Sequence, residues 1–170
     1  MFGHHTSASF WSRRVEMAGD ADWAQGLLTR RLGGRMQARR GELIDVLALP
    51  GLVAEDERGE VGILLYDMRC QECELAAIVA EKGQRGVGTQ LVEALKRKVS
   101  GRIWLVTTND NLDALRFYQR RGFVLVALRS GAVEQARRRL KPTIPETCAY
   151  GIPLRDEIEL EFLPSATTSH

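Results

Sequence analysis

The 170-residue sequence predicts a single α/β (α+β) domain built on one mixed sheet. Short aliphatic and β-branched runs interleave with segments of helical period all along the chain. The stretch LVAEDERGEVGILLYDMR holds two strand-like runs around a turn near Arg58-Gly59, which is a hairpin. Apolar residues make up 44% of the chain and charged residues 27%, the balance of a soluble globular protein large enough for a real core. Residues 1–10 read as a flexible arm, 11–165 as the domain and 166–170 as a tail.

Each element follows in order. WSRRVEMAG opens with a strand, and DADWAQGLLTRRLGG is a helix with Asp20 or Asp22 as cap and Gly33 as stop. Residues 35–49 fit neither period. After the hairpin, ECELAAIVAE is a third strand, and a glycine-rich turn leads into a helix from about Val87. RIWLVTT is a buried strand, NDNLDALRFYQRRG an eleven-residue helix closed by Gly122, and FVLVALRS another strand. AVEQARRRLK is a basic helical piece. In EIELEFL, Ile158, Leu160 and Phe162 alternate with Glu157, Glu159 and Glu161, which predicts a last strand with one wet face.

Several functional classes are excluded. The net charge is 24 − 22 = +2, too small to argue for nucleic acid or an anionic membrane. The run Arg137, Arg138, Arg139 has no interleaved aromatics and reads as a solvated helix face. No run of about 18 apolar residues exists to span a membrane. All three histidines lie near the ends (His4, His5, His170), which leaves a Ser-His or Cys-His nucleophile unsupported. Cys70 and Cys73 form C-x-x-C, but the remaining ligands are too remote in sequence for a zinc site, so no metal is expected. Reduced thiols and the absence of a secretory core point to the cytoplasm.

The glycine-rich turn EKGQRGVGTQ carries the first chemical signal. Gly83 and Gly88 have P-loop separation, but Thr89-Gln90 follows where Lys-Ser/Thr is required. Counted from Gly86, Leu91 stands where the dinucleotide fingerprint needs its last glycine. What remains is strand, loop, helix N-terminus, a geometry in which successive N–H groups and the helix dipole hold a diphosphate. A plain turn would need the same glycines. The second signal is TTNDNLDALRFYQRRGF, where Asn111, Ala114 and Tyr118 fall on one helical stripe, leaving Leu112, Leu115 and Phe117 for core contacts.

Together these segments resemble the GCN5-related N-acetyltransferase (GNAT) superfamily. GQRGVG resembles its acyl-CoA pyrophosphate loop, Q/R-x-x-G-x-G/A, and NDNLDALRFYQRRGF resembles its second CoA-binding segment. The likeness is strong from Glu72 to Phe123 and weak over residues 1–50. It departs at Gly83, where the family carries Gln or Arg, so Gln84, Arg85 or Lys82 would have to substitute for any side-chain contact. The resemblance implies a single mixed, mostly antiparallel central sheet flanked by helices. It implies acetyl-CoA as co-substrate and direct acetyl transfer to a primary amine of a small molecule or peptide. CoA would contact Ile78, Val79, Ala80, Gln84, Arg85, Gly86, Val87, Gly88, Thr89, Asn111, Ala114 and Tyr118.

Direct transfer needs a neutral amine, a polarised thioester carbonyl and a proton for the departing thiolate. Tyr118 matches the family's tyrosine and is the expected proton donor; N–H groups around Ile78 to Ala80 would polarise the carbonyl. An ammonium of pKa about 10.4 must lose its proton, and Glu74 or Glu72 on the approaching strand is the candidate base, with Glu74 nearer the thioester. The connection 131–156 would border the acceptor pocket. The rival reading is a non-catalytic acyl-CoA-binding or regulatory module, which would tolerate loss of the phenol. A homodimer stays open.

Overall fold

The computed structural model describes residues 11–14, 17–83 and 85–165, with side chains from Asp20 onward. The arm 1–10, the tail 166–170 and Gln84 lie outside the described residues. In chain order the elements are β1 (Trp11–Arg14), α1 (Met17–Leu32), β2 (Met36–Arg39), β3 (Glu42–Asp45), β4 (Gly51–Asp56), β5 (Gly59–Arg69) and β6 (Glu72–Ala80). They continue with α2 (Val87–Lys98), β7 (Ile103–Thr108), α3 (Leu112–Gln119), β8 (Val124–Arg129), α4 (Ala132–Arg139) and β9 (Glu157–Phe162). Seven strands form one sheet in the order β1-β4-β5-β6-β7-β9-β8, while β2 and β3 form a separate two-stranded ribbon. Every neighbouring pair is antiparallel except β6 with β7. The sheet is thus mixed and mostly antiparallel, as expected.

Two apolar layers lie on its opposite faces. One joins Leu64, Leu75, Ile103, Leu105 and Leu160 to Leu91, Val92 and Leu95 of α2 and to Tyr118 and Phe123. The other packs Ala24, Leu27 and Leu28 of α1 on Val53, Ile63, Leu65, Ala77 and Val79. Strand β5 lies under both, which is why Val61 to Tyr66 is an unbroken buried run rather than an alternating one. Gly62 on this strand has a packing reason, because a Cβ there would collide with Val87 Cγ1 at the start of α2. Helix α1 stops where Gly33 takes φ +73° and Gly34 N–H closes on the Leu28 carbonyl at 3.2 Å.

Three expectations change. Helix α1 starts at Met17, so Asp20 is a buried first-turn residue rather than the cap. Helix α3 has eight residues instead of eleven, although it closes at Gly122 as expected: Phe123 N–H bonds the Tyr118 carbonyl (3.1 Å) and Gly122 N–H the Gln119 carbonyl (3.2 Å), a Schellman stop. The glutamate face of β9 is not wet, since Glu157 and Glu159 are buried. The cover comes from 35–49, the segment without a readable period. It folds into the β2–β3 hairpin over a two-residue turn in which Arg40 (φ 50°) and Gly41 (φ 77°) are both left-handed. Arg35 clamps the base of this hairpin, its Nε and Nη2 lying 2.8 and 2.5 Å from the Asp45 carboxylate.

Candidate active site

The site begins where the sheet opens. Strand β6 pairs with β7 at Cys73↔Ile103 and Glu74↔Trp104, and among the described residues the two strands do not pair beyond that point. A bulge sits at the same level: Leu65 faces Ala77 and Tyr66 faces Leu75, which leaves Ala76 as the extra residue. The bulge reverses the phase of the strand. Before it Cys73 and Leu75 join the layer with α2 and α3; after it Ala77 and Val79 join the α1 layer while Ile78 and Ala80 pack the other way. A wedge between diverging strands exposes backbone N–H and C=O groups of β6 to whatever enters it, and Ile78, Val79 and Ala80 line that stretch.

The wide end of the wedge leads into the glycine loop. Glu81 pins its start, with its N–H on the Val61 carbonyl (2.8 Å) and its carboxylate holding Trp23 Nε1 (3.2 Å) and Arg30 Nη2 (3.1 Å) of α1. Gly86 is the N-cap of α2 with φ +82°, and no side chain caps the helix. The Gln90 N–H already reaches the Gly86 carbonyl at 3.1 Å, so the N–H groups of Val87, Gly88 and Thr89 have no partner within the helix. Gly88 is needed for space: a Cβ there would stand 3.1 Å from Phe117 Cζ. The Thr89 hydroxyl accepts hydrogen bonds from Nε (3.1 Å) and Nη2 of Arg121, whose guanidinium lies 3.6 Å from the Phe117 ring centroid. The first turn of α2 is therefore tied to Arg121, just beyond the end of α3. Arg85 beside them is exposed.

Helix α3 carries the second predicted set. Asn111 is its N-cap, its Oδ1 accepting from Ala114 N–H at 3.1 Å. Ala114, Leu115 and Phe117 pack against the core, and Leu112 is exposed instead of buried. Tyr118 retains 5% of its surface, its ring edge-on to Phe117 (5.1 Å) and Phe123 (5.4 Å). Among the described residues its hydroxyl has no hydrogen-bond partner. Burial pushes its pKa well above the usual 10, with Arg121 offsetting little of the rise. The phenol is therefore protonated throughout the neutral range, the state a proton donor requires.

At the closed end of the wedge the two candidate bases part company. Glu72 starts β6 with its side chain 55% exposed, 3.4 Å from Arg102 Nη1. Glu74 is 4% exposed, and both its oxygens are taken by Arg39, from Nε at 2.5 Å and from Nη2 at 2.7 Å. Both glutamates line a cavity of about 330 Å3 together with Arg39, Arg40, Asp67 and Trp104. Arg40 stacks over Trp104 at 4.8 Å and its backbone N–H donates to Glu157. Sequence reasoning missed Arg39, Arg40, Trp104 and Glu157. Their partners lie 35 and 117 positions away, so no local signal marks them. Cys73 is buried beneath, its thiol pushed up to about 12 by burial and then by Asp67 and Glu74. Among the described residues no group of three or more His, Cys, Asp or Glu is arranged to hold a metal ion, and no helix is long and apolar enough to cross a membrane.

A wedge, a bulge, an uncapped helix and a protonated phenol in this order can be compared with known proteins. Residues 50–125 match the acetyltransferase (GNAT) domain family. The uncharacterized protein YdhI of Bacillus subtilis (strain 168) is 42% identical over 115 residues, covering 65% of this chain and 71% of YdhI. The chain belongs to the GNAT acetyltransferase family. Solved GNAT structures share its fold. An IAA acetyltransferase from Bacillus cereus ATCC 14579 superposes with a TM-score of 0.71 at 16% identity, over 92% of this chain and 100% of that one. A B. subtilis acetyltransferase solved in complex with CoA gives a TM-score of 0.64 at 18% identity, over 92% and 99%.

Proposed function

We propose that this GNAT protein transfers an acetyl group from acetyl-CoA directly to a primary amine. The observation that carries the reading is the wedge between β6 and β7, with the uncapped N-terminus of α2 at its wide end and the buried, protonated Tyr118 phenol below it. Acetyl-CoA supplies an activated thioester. The N–H groups of Val87, Gly88 and Thr89, with the positive end of the α2 dipole, hold its diphosphate, and Arg85 adds a nearby cation. The family pattern puts its Gln or Arg at Gly83, so Gln84 or Lys82 is the remaining substitute for that side-chain contact.

Backbone N–H groups of Ile78 to Ala80 orient the pantetheine amides and polarise the thioester carbonyl. Asn111 holds the first turn of α3 in place, and Ala114 keeps that face small enough for close approach. Tyr118 donates a proton to the departing sulfur. Glu74 carries a positioning role, because a carboxylate whose two oxygens bind Arg39 fixes the β2–β3 hairpin over the sheet rather than standing free for a substrate proton. The acceptor is a small molecule or peptide and the expected setting is cytoplasmic.

The test is acetyl-CoA turnover against a panel of primary amines, with release of free thiol as readout. Amine-dependent thiol release is expected, with one N-acetylated product per thiol. Acetyl-CoA binding without any amine-dependent release would replace the enzyme by an acyl-CoA-binding module.

A further inference from the structure

Five glutamates of β6 and β9 face the side of the sheet that the β2–β3 hairpin covers, and four of them are neutralised. Arg39 holds Glu74. Arg102 binds Glu161 and lies 3.4 Å from Glu72 and 3.2 Å from Glu159, and Arg129 Nη2 reaches Glu159 at 2.9 Å. Glu157 differs. It is 2% exposed, it makes no ion pair among the described residues, and its carboxylate accepts one backbone donor, Arg40 N–H, 3.1 Å from each oxygen. A buried carboxylate that makes no ion pair is costly to keep, so its retention calls for a role.

Glu157 also lies in the right place. It lines a cavity of about 490 Å3 bounded by Arg40 and Gly41 at the hairpin tip, Arg129 at the end of β8, and Gln135 and Arg139 of α4. Strand register places it beside the wedge. The β7 residue four steps beyond Trp104 is Thr108, which pairs with Glu157, and the β6 residue four steps beyond Glu74 is Ile78. Arg40 borders both this cavity and the one at the closed end of the wedge, so the two adjoin.

The rest of the lining is cationic. Three arginines surround the single glutamate. Arg129 Nη1 is buried with no hydrogen-bond partner, and Arg139 is exposed and makes no ion pair among the described residues. Arg40 and Arg129 share Glu159, at 3.9 and 2.9 Å, which leaves Arg129 Nη1 and the Arg139 guanidinium to meet an acidic group while Glu157 meets a cation.

We propose that Glu157 receives the ammonium of the acceptor and takes its proton, while Arg129 and Arg139 receive an acidic group on the same molecule. The acceptor class is then an amine bearing a carboxylate or phosphate. This rests on the acetyl-transfer reading above and names its substrate class. The ammonium loses one proton to the Glu157 carboxylate. The freed nitrogen lone pair forms the C–N bond at the thioester carbon, the C–S bond breaks, and the sulfur leaves with the proton of Tyr118. The second nitrogen proton, released as the amide forms, restores the phenol through solvent, and Glu157 returns its own proton to solvent.

The test uses the full chain with matched acceptors: a linear amino acid with a terminal amine, an aminoalkyl phosphate, and the alkyl amine of equal length without the acidic group. Wild type is expected to show kcat/KM at least about 10-fold higher for the two acidic acceptors than for the plain amine, and their ratio tells carboxylate from phosphate. Arg139→Gln, an exposed change that leaves folding intact, is expected to erase that preference through KM. Glu157→Gln keeps an acceptor for Arg40 N–H and is expected to lose about 100-fold in kcat at pH 7. That loss should shrink as the pH approaches the amine pKa of about 10.4. The groups facing Glu157 that could shape this profile are Arg40 from the hairpin, Glu159 on its own strand, Arg129 from β8 and Arg139 from α4. Glu157→Gln with wild-type kcat at pH 7, or a wild-type preference for the plain amine, overturns the proposal. An acetyl-CoA thermal shift in every variant shows that only the acceptor assignment failed; no shift in wild type overturns the acetyl-CoA reading as well.

Discussion

Replacing Tyr118 by Phe separates the two roles that the ring and the hydroxyl play. The ring packs edge-on against Phe117 and Phe123, and Phe reproduces both contacts. The hydroxyl has no hydrogen-bond partner among the described residues, so its removal orphans no protein group, and the stability change should stay within about 0.5 kcal/mol. Its catalytic loss is larger. If the phenol protonates the departing sulfur, kcat falls about 10- to 1,000-fold, or about 1.4 to 4 kcal/mol of barrier, while acetyl-CoA affinity is preserved. Burial holds the phenol pKa above 10, so the ratio of wild type to variant should be flat from pH 7 to pH 9. Stability carries a second signature. A group whose folded pKa is raised keeps its contribution below the unfolded value of 10 and loses it as pH climbs further. Urea midpoints of wild type and variant should therefore coincide up to pH 10, above which wild type falls behind by about 1.4 kcal/mol per pH unit. Steady-state thiol release and urea titration read the two effects independently. Wild-type kcat in the variant would refute the proton-donor role, and a wild-type stability curve parallel to the variant's above pH 10 would refute the buried, protonated phenol.

The proposed diphosphate contact at the glycine loop predicts that acetyl-CoA at about 100 times its Kd stabilises the protein by about 2.7 kcal/mol, and that Arg85→Glu, beside the uncapped α2 terminus, weakens binding about 10-fold and removes about half of that gain in a thermal melt. Arg39→Met leaves Glu74 buried without its cation and should cost about 3 to 5 kcal/mol in urea unfolding, whereas Arg39→Met combined with Glu74→Leu should recover most of it. Thiol alkylation at pH 8 should modify exposed Cys70 and Cys148 within minutes and spare Cys73, whose burial holds its pKa at about 12; labelling of Cys73 at the same rate would contradict its placement.

How much of this was legible in the sequence depended on how far apart the interacting residues lie. The half of the site around the glycine loop is local. Strand β6, the loop through Gly86, helix α2, strand β7 and helix α3 follow one another between Glu72 and Gln119, and each is marked by nearby residues: glycines where φ turns positive, Asn111 at an N-cap, Gly122 at a C-terminal stop. Periodicity and turn chemistry read such signals directly. Even there the sequence did not show that Thr89 is held by Arg121, or that Gly88 makes room for Phe117.

The half beneath the β2–β3 hairpin required the tertiary structure. Residues 35–49 lacked a clear period because β2 and β3 are four residues each, and their place over the sheet is set by Arg39 on Glu74 and Arg40 on Glu157. The alternation in EIELEF correctly divided β9 into two faces. Alternation states which face is polar and not what lies above it, so the glutamate face was read as wet. By itself the sequence determined the family, the strand and helix order from the β4–β5 hairpin onward and the glycine loop at the start of α2, because those depend on residues within a few turns of each other. Only the folded chain decided which carboxylates are neutralised and which one faces an open cavity. That difference comes from an ion pair made across 35 positions and a backbone N–H contact made across 117, where burial sets the cost of an unpaired charge.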